Sequence, residues 1–209
     1  SFEKYLHSIA NKKVGVVAHQ ASLVNGKTHL VDTLLSLGVA VQKVFAPEHG
    51  FRGNADAGET IYDQKDKKTG LEILSLHGKT KKPSKEDLAN ISVMIFDLQD
   101  VGVRFYTYLS TLHYVMEACA ENNIPLIVLD RPNPNAHYVD GPVLKKENKS
   151  FIGMHPVPIV YGMTIGEYAK MINGEGWLSN KTKCDLTIIK IKNYTHETSY
   201  ELPVRPSPN

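Results

Sequence analysis

The chain alternates between short, continuously apolar runs and longer runs in which apolar residues recur with helical spacing. The short runs are rich in β-branched residues, which is typical of strands buried on both faces of a parallel sheet. They predict strands at residues 14–18, 39–45, 73–76, 92–96, 126–129, 158–160 and 186–191.

Helical spacing fills the segments between these strands. It predicts helices at residues 29–37, 109–120 and 164–172, and Pro83-Ser84 marks the start of a brief helix over residues 83–88. Gly38 is a typical residue just past a helix end, and Thr164 with Glu167 three residues later has the pattern of a capping box. The alternation predicts an α/β fold, a Rossmann-like and mostly parallel sheet with helices on both faces, in three layers.

Polar residues follow four of the predicted strands. These strand ends are His19-Gln20, Glu48-His49, D-L-Q-D at residues 97–100 and D-R-P-N at residues 130–133. In open parallel sheets, ligands bind in the crevice beyond the carboxyl ends of the strands. The sequence therefore predicts a polar pocket at one edge of the sheet.

The turn P-E-H-G-F-R-G at residues 47–53 carries unusual chemistry for a connection. Ordinary turns are built mainly from Gly, Pro, Asn, Asp and Ser, each for a backbone reason. This turn also holds the carboxylate of Glu48, the imidazole of His49 and the guanidinium of Arg52. Such a set of groups indicates a functional site.

Composition narrows the classes of ligand. The 209 residues are 42% hydrophobic and 22% charged, with a formal net charge of +2, which gives no support to nucleic-acid binding. No apolar run approaches the ~20 residues of a membrane span, and two cysteines are too few for a disulfide framework or a metal site. The turn after the first strand, H-Q-A-S-L-V-N-G, lacks both glycine-rich phosphate motifs. We therefore expect neither a nucleotide cofactor nor a metal.

A surplus of carboxylates beside aromatic and amide side chains indicates sugar chemistry. Glycoside hydrolysis needs one carboxylic acid to protonate the leaving oxygen and a second carboxylate as base or nucleophile. Glu48 follows one strand, and Asp100 follows another with Arg104, Tyr106 and Tyr108 close behind it. These residues are candidates for that pair and for the sugar contacts.

Several of these side chains also have structural explanations. Asp97 can cap the turn after its strand or pair with Arg104, and Asp130 can form a salt bridge. Glu167 is fully explained as a capping-box partner. Glu59 lies in a loop that neither a helix nor a strand explains, so it is either solvated or functional.

Five motifs together resemble the exo-β-N-acetylmuramidase family (NamZ-like, glycoside hydrolase family 171), formerly a domain of unknown function. They are P-E-H-G-F-R-G at residues 47–53, F-D-L-Q-D-V-G-V-R-F-Y-T-Y at 96–108, L-D-R-P-N-P at 129–134, Y-G-M-T-I-G-E at 161–167 and P-S-P-N at 206–209. They follow one another through almost the whole chain.

The resemblance implies an exo-acting glycosidase that releases N-acetylmuramic acid from the non-reducing ends of peptidoglycan fragments, without a cofactor. It implies a Rossmann-like catalytic domain over residues 1–201 and a Pro-rich linker over residues 202–209 towards a C-terminal domain outside this chain. Peptidoglycan-derived saccharides are the expected partners, and a secreted or periplasmic location is expected.

The same resemblance implies roles for individual residues. Glu48 is the expected catalytic acid, with Glu59 or Asp100 as the second carboxylate. The expected substrate-binding residues are His49, Arg52, Gln99, Arg104, Tyr106, Arg131, Asn133 and Glu167. Two alternatives stay open. One is a non-catalytic binding domain for muropeptides or other anionic sugars, whose carboxylates suit arginine; the other is a nucleotide-binding or acyl-transfer domain.

Overall fold

A computed structural model describes residues 3–52 and 64–205, which form four α-helices and nine β-strands. The helices are α1 Glu3–Ile9, α2 Leu30–Ser36, α3 Tyr108–Glu121 and α4 Ile165–Gly174. The strands are β1 Lys13–Ala18, β2 Leu23–Val24, β3 Thr28–His29, β4 Ala40–Ala46, β5 Gln64–Lys65, β6 Glu72–Ser75, β7 Val93–Asp97, β8 Leu126–Leu129 and β9 Leu186–Ile189.

One seven-stranded sheet organises the fold, in the order β5-β6-β4-β1-β7-β8-β9, and β2 pairs with β3 in a separate hairpin. Neighbouring strands of the sheet are parallel except β5, which is antiparallel to β6. Counted along the chain, the six parallel strands lie in the order 3-2-1-4-5-6 of the doubly wound Rossmann sheet. The strand order reverses between β1 and β7, and ligands bind at such a switch point.

Two apolar cores cover the two faces of the sheet. On one face, α3 and α4 contribute Leu112, Met116 and Tyr168. On the other face, α1 and α2 contribute Ile9 and Leu34. The central strands β1 and β7 are buried along nearly their whole length, which explains their continuous apolar sequences. The predicted three-layer α/β fold is confirmed.

Most of the predicted elements are confirmed within two residues, and two are wrong. Residues 83–88 form no helix, and turns occupy residues 85–90. Ser84 and Asp87 exchange amide-to-side-chain hydrogen bonds as at a helix start. The Leu88 amide donates to the Ser84 carbonyl, but the segment ends after this single turn, where Asn90 has a φ of 63°. Residues 158–160 form only isolated bridges, in which Val160 pairs with Val103 and Asp140.

The elements that sequence patterns missed are α1, the β2–β3 hairpin and β5. Strands β2, β3 and β5 have two residues each, too few to show a period. Across residues 3–52 and 64–205, no helix has the length and apolar character to cross a membrane. The division of the chain at residue 201 stays a prediction, and residues 206–209 lie outside the described part.

Candidate active site

The predicted polar strand ends meet at one edge of the sheet. Strands β4, β1, β7 and β8 are consecutive neighbours, and the residues within two positions of their ends include Glu48, His19, Gln99 and Arg131. We call these four residues and Asp100, together with the contacting Tyr106, Tyr108 and Tyr161, the strand-end site. It lies at the switch point of the sheet, where a parallel fold places its ligand.

Asp100 is a buried carboxylate with an incomplete set of hydrogen bonds. Its side chain is only 4% exposed. Oδ2 accepts hydrogen bonds from the Tyr161 hydroxyl and from the Gly102 amide at 2.9 Å, whereas Oδ1 is buried with no hydrogen-bond partner among the described residues. Burial raises the pKa of Asp100 from 3.8 to about 6, although the hydrogen bonds oppose that rise. Asp100 can therefore hold a proton close to neutral pH.

Glu48 lies half-buried in the turn after β4. Its Oε2 accepts a 2.9 Å hydrogen bond from the hydroxyl of Thr107, which is the N-cap residue of α3. Glu48 thus lies at the positively polarised end of that helix. The next residue, His49, is buried and has a φ of 71°, a strained conformation for a residue other than glycine and one that is enriched at functional sites.

The partly buried Tyr106 and the buried Tyr108 lie near both Glu48 and Asp100. The rings of Tyr106 and Tyr108 pack edge to face, with their centroids 5.0 Å apart. Burial, followed by the negative charges of Asp100 and Glu48, raises the pKa of Tyr106. Burial, followed by Tyr106 and the same two carboxylates, raises the pKa of Tyr108. The charges of both carboxylates therefore reach the same two phenols.

A buried neutral histidine, His19, fixes the position of these groups. Burial and the charge of Arg131 lower the pKa of His19 well below its usual range. Its Nε2 lies 2.9 Å from the backbone N–H of Gln99, which can only donate a hydrogen bond. Nδ1 therefore carries the ring proton and donates it to the Tyr108 hydroxyl at 3.2 Å. His19 connects the end of β1 to the loop after β7 and to the start of α3.

Gln99 holds neighbouring loops together. Its Nε2 donates to the backbone carbonyls of Asp100 at 2.8 Å and of Pro132 at 2.7 Å. Its Oε1 accepts a 3.3 Å hydrogen bond from the Tyr200 hydroxyl. The amide thus orders the loops after β7 and β8 and brings the C-terminal segment to them.

Arg131 forms a bidentate ion pair with Asp97. Its Nε and Nη2 donate to the two carboxylate oxygens at 2.6 and 2.8 Å, and Asp97 is 2% exposed. The structural explanation for Asp97 is confirmed, but its partner is Arg131 and not Arg104. The Arg104 guanidinium instead donates to the backbone carbonyls of Pro142 and Val157.

Arg52 also has protein partners. It donates to both oxygens of Asp66, at 3.1 and 2.8 Å, and contacts Asp32 at 3.2 Å. The hydrogen bonds from Arg52 are the main reason that the pKa of Asp66 falls to about 2. Arg52 therefore connects the P-E-H-G-F-R-G turn to α2 and to the segment after β5.

The position of the Asn133 side chain explains why residue 102 is a glycine. It is 4% exposed, its Nδ2 donates to the Met163 carbonyl, and its Oδ1 accepts from the Asn135 amide, both at 2.8 Å. A Cβ at Gly102 would lie 2.1 Å from that Oδ1, and Gly102 has a φ of +80°. Only glycine fits there, so the turn can place its amide on Asp100.

The capping box of α4 is confirmed. Thr164 accepts from the Glu167 amide, and Glu167 accepts from the Thr164 amide at 2.9 Å. The salt bridge expected for Asp130 is wrong. Its Oδ1 accepts from the Gly166 amide and its Oδ2 from the Thr164 hydroxyl, so it supports the same helix terminus. Glu167 also contacts His196 at 2.8 Å.

Three members or neighbours of the strand-end site were absent from the predicted set: His19, Thr107 and Tyr161. The last two lie inside the recognised motifs, but only the fold shows that Tyr161 reaches Asp100 across 61 positions. The sequence places His19 at the end of a strand but gives no sign of its hydrogen-bond partners. Glu59 lies outside the described residues, so its role stays a prediction.

No group of three His, Cys, Asp or Glu side chains suited to a metal ion occurs in the described part of the chain. The polar groups of the strand-end site are two carboxylates, three phenols, one side-chain amide, one imidazole and one guanidinium. This set can transfer protons and form hydrogen bonds with hydroxyl groups, as sugar chemistry requires.

Three relatives resemble this chain. Peptidoglycan β-N-acetylmuramidase NamZ from Bacillus subtilis (strain 168) is 42% identical over 211 residues, which covers 98% of this chain and 50% of that protein. A crystal structure of a DUF1343 family protein from Bacteroides fragilis NCTC 9343 has a TM-score of 0.90 and 46% identity, covering 100% of this chain and 55% of the other. A second such protein has a TM-score of 0.87 and 37% identity, covering 95% and 50%.

These comparisons agree with the motifs. The chain spans about half the length of each relative, 50 to 55%. The family model for the exo-β-N-acetylmuramidase NamZ, N-terminal, matches residues 14–209. With this match and the 42% identity to the Bacillus subtilis protein, the chain belongs to the NamZ N-terminal family.

Proposed function

We propose that the strand-end site is the catalytic centre of an exo-acting β-N-acetylmuramidase, which releases N-acetylmuramic acid from the non-reducing ends of peptidoglycan fragments. Two observations carry the proposal. Glu48 accepts a 2.9 Å hydrogen bond from Thr107, the residue between Tyr106 and Tyr108, and the charges of both Glu48 and Asp100 raise the pKa of these two tyrosines at the switch point of the sheet. The description of the Bacillus subtilis relative as a peptidoglycan β-N-acetylmuramidase supports the choice of substrate.

The environments of the two carboxylates support different roles. Asp100, with a pKa raised to about 6 by burial, holds the proton that the leaving oxygen needs. The proton would lie on Oδ1, which no described residue engages in a hydrogen bond. Glu48, half-buried at the start of α3, is then the second carboxylate. This exchanges the roles expected from the resemblance, and Glu59 remains the other candidate for the second carboxylate.

Replacing Glu48 tests the paired-carboxylate mechanism. Glu48→Gln keeps an oxygen that can accept from Thr107 and removes the charge, so turnover of a chromogenic muramide should fall by roughly 10²–10⁴-fold while binding persists. Glu86→Gln, at an exposed position, is the matched control. Turnover of Glu48→Gln near the control's rate would exclude Glu48 from the chemistry. Binding without turnover in the wild type would favour the non-catalytic alternative.

Substrates whose leaving groups differ in acidity show which carboxylate is the catalytic acid and which is the second carboxylate. A 4-nitrophenolate departs without a proton, whereas an alkoxide needs a proton from the acid. Asp100→Asn should therefore retain far more activity on the 4-nitrophenyl muramide than on an alkyl muramide, and Glu48→Gln should lose both equally. The reverse pattern would return the acid to Glu48.

The length of the relatives decides how these assays are run. Because this chain spans about half of them, each variant is measured in this chain and in the chain joined to the remainder of the Bacillus subtilis relative.

We also propose a secreted or periplasmic location for the protein. Cell fractionation with an antibody tests this location, and recovery in the cytosolic fraction would contradict it.

A further inference from the structure

A cavity separate from the strand-end site lies beside the C-terminal end of α4. It has a volume of about 260 Å³ and is lined by Trp177, Met154, His155, Leu144 and Pro156, with lysines at its margin. This volume is below the ~300–1,000 Å³ of pockets for drug-sized ligands, so its occupant would be small. The side chains of Tyr168 and Tyr161 connect His155 to Asp100 in series and lie between the two places.

The wall of the cavity is aromatic and uncharged. His155 stacks on Trp177 with ring centroids 4.6 Å apart and an interplanar angle of 16°. One of its ring nitrogens lies 3.0 Å from Nδ1 of His113, and the other lies 3.1 Å from the Tyr168 hydroxyl. Both nitrogens are thus occupied within the protein, so the ring offers a fixed flat surface and no polar group. Such a wall suits a flat or apolar body.

The margin of the cavity is positively charged. Lys145, Lys146 and Lys149 are exposed and line the cavity. In the described ranges, none of their ammonium groups takes part in an ion pair. One acidic residue, Glu147, is exposed on the same turn. Three cations against one carboxylate leave a net positive margin above an apolar wall.

We propose that this cavity binds a small organic anion, a carboxylate attached to a flat or apolar body. The body would pack on Trp177 and Met154, and the carboxylate would meet the lysines at the margin. Each part of such a ligand matches a part of the cavity: the apolar body gains from leaving water, and the charged group stays at the rim, where it remains partly solvated. The proposal stands on this geometry and does not depend on the proposed glycosidase activity.

The single tryptophan of the chain makes the cavity directly observable. Trp177 is the one Trp among the 209 residues, so a saturable change in its fluorescence reports binding beside it. Benzoate should give such a change. Benzamide, which has the same shape without the charge, should bind about tenfold more weakly, the size of one charge-assisted hydrogen bond. Phenyl phosphate distinguishes a carboxylate site from a general anion site, since equal affinity would show the latter and overturn the carboxylate assignment.

Charge removal at the margin provides the decisive comparison. The triple variant Lys145→Gln, Lys146→Gln and Lys149→Gln should weaken benzoate binding about tenfold or more and leave benzamide unchanged. The control triple Lys12→Gln, Lys13→Gln and Lys27→Gln changes exposed lysines elsewhere and alters the net charge equally.

Two further results complete the test. Raising the salt concentration from 0.05 to about 0.5 M should weaken benzoate but not benzamide, because salt screens exposed charges. Equal benzoate affinity in both triple variants, or equal affinity for benzoate and benzamide in the unaltered chain, would overturn the proposal. Because each variant could be compromised in folding, Lys149→Gln alone and a thermal melt of every variant accompany the titrations.

Discussion

At the scale of single residues, the burial of Asp100 has a cost in stability. Its pKa is 3.8 in an unfolded chain and about 6 in the fold. The folded state thus binds the proton more tightly, and the stability this contributes is present below pH 3.8 and lost as the pH rises through about 6. The loss corresponds to roughly 3 kcal/mol at about 1.4 kcal/mol per pKa unit.

Asp100→Asn removes this ionisation. The variant should gain up to roughly 3 kcal/mol relative to the wild type in free energy of unfolding between pH 4 and pH 7, because Asn cannot become charged there. Urea unfolding of both proteins at the two pH values measures the difference. A difference that does not change with pH would mean that Asp100 is not held at a raised pKa.

Arg131 is the second residue whose contacts lead to a prediction. Its planar guanidinium meets both oxygens of the buried Asp97 and also donates to the Leu23 carbonyl at 3.3 Å. A lysine retains the charge but cannot make these contacts together, so Arg131→Lys should lower the free energy of unfolding by about 2 kcal/mol. Chemical denaturation measures it, with the exposed Arg205→Lys as control. Equal stability of the two variants would contradict a structural role for the pair.

At the scale of elements, the capping box sets the start of α4. Thr164→Ala removes the hydroxyl that caps the helix and that also donates to Asp130 at 2.9 Å. The loss should be about 1 kcal/mol, read from the midpoint of urea unfolding. Thr164→Ser retains the hydroxyl and should stay close to the wild type. If Ala and Ser behave alike, the cap does not stabilise the helix.

Glu167 allows capping to be separated from substrate binding. Gln serves equally well at this position of a capping box, so Glu167→Gln should leave the unfolding midpoint nearly unchanged. If the carboxylate also binds the sugar, the variant should raise KM for a muropeptide with kcat unaltered. Unchanged KM together with unchanged stability would limit Glu167 to capping.

At the scale of the whole molecule, buried histidines make the fold sensitive to acid. Burial lowers the pKa of His113 to about 4 and that of His155 to about 3, and the pKa of His19 falls as well. The unfolded chain takes up these protons first, so the stability is present above about pH 6.5 and is lost as the pH falls through about 4 for His113 and about 3 for His155. The opposite contribution from Asp100 offsets part of this loss.

The urea midpoint should therefore fall between pH 7 and pH 4.5, and it should fall more steeply in Asp100→Asn, which lacks the offset. Circular dichroism at each pH gives the midpoint. A urea midpoint that stays constant between pH 7 and pH 4.5 in both proteins would contradict this expectation. It would show that the histidines and Asp100 have the same pKa in the folded and unfolded states.

The elements differ in how far their sequences predict them. Strands such as β8, and helices such as α3, were predicted because their apolar residues form a continuous run in the strand and recur with helical spacing in the helix. Residues 83–88 carry a helix-start signal, and Ser84 and Asp87 do form reciprocal capping bonds. The segment nevertheless ends after one turn, where Asn90 has a φ of 63°. A start signal does not by itself predict how far a helix continues.

The sequence by itself determined the α/β fold, the parallel sheet and the edge on which Glu48, Asp97, Asp100 and Arg131 meet. These follow from local periodicity, since the ends of parallel strands must share an edge. Only the tertiary structure decided that Asp97 pairs with Arg131, and that Asp100 is buried against Tyr161 with a raised pKa. Pairing and burial depend on contacts between distant segments, and these leave no period in the sequence.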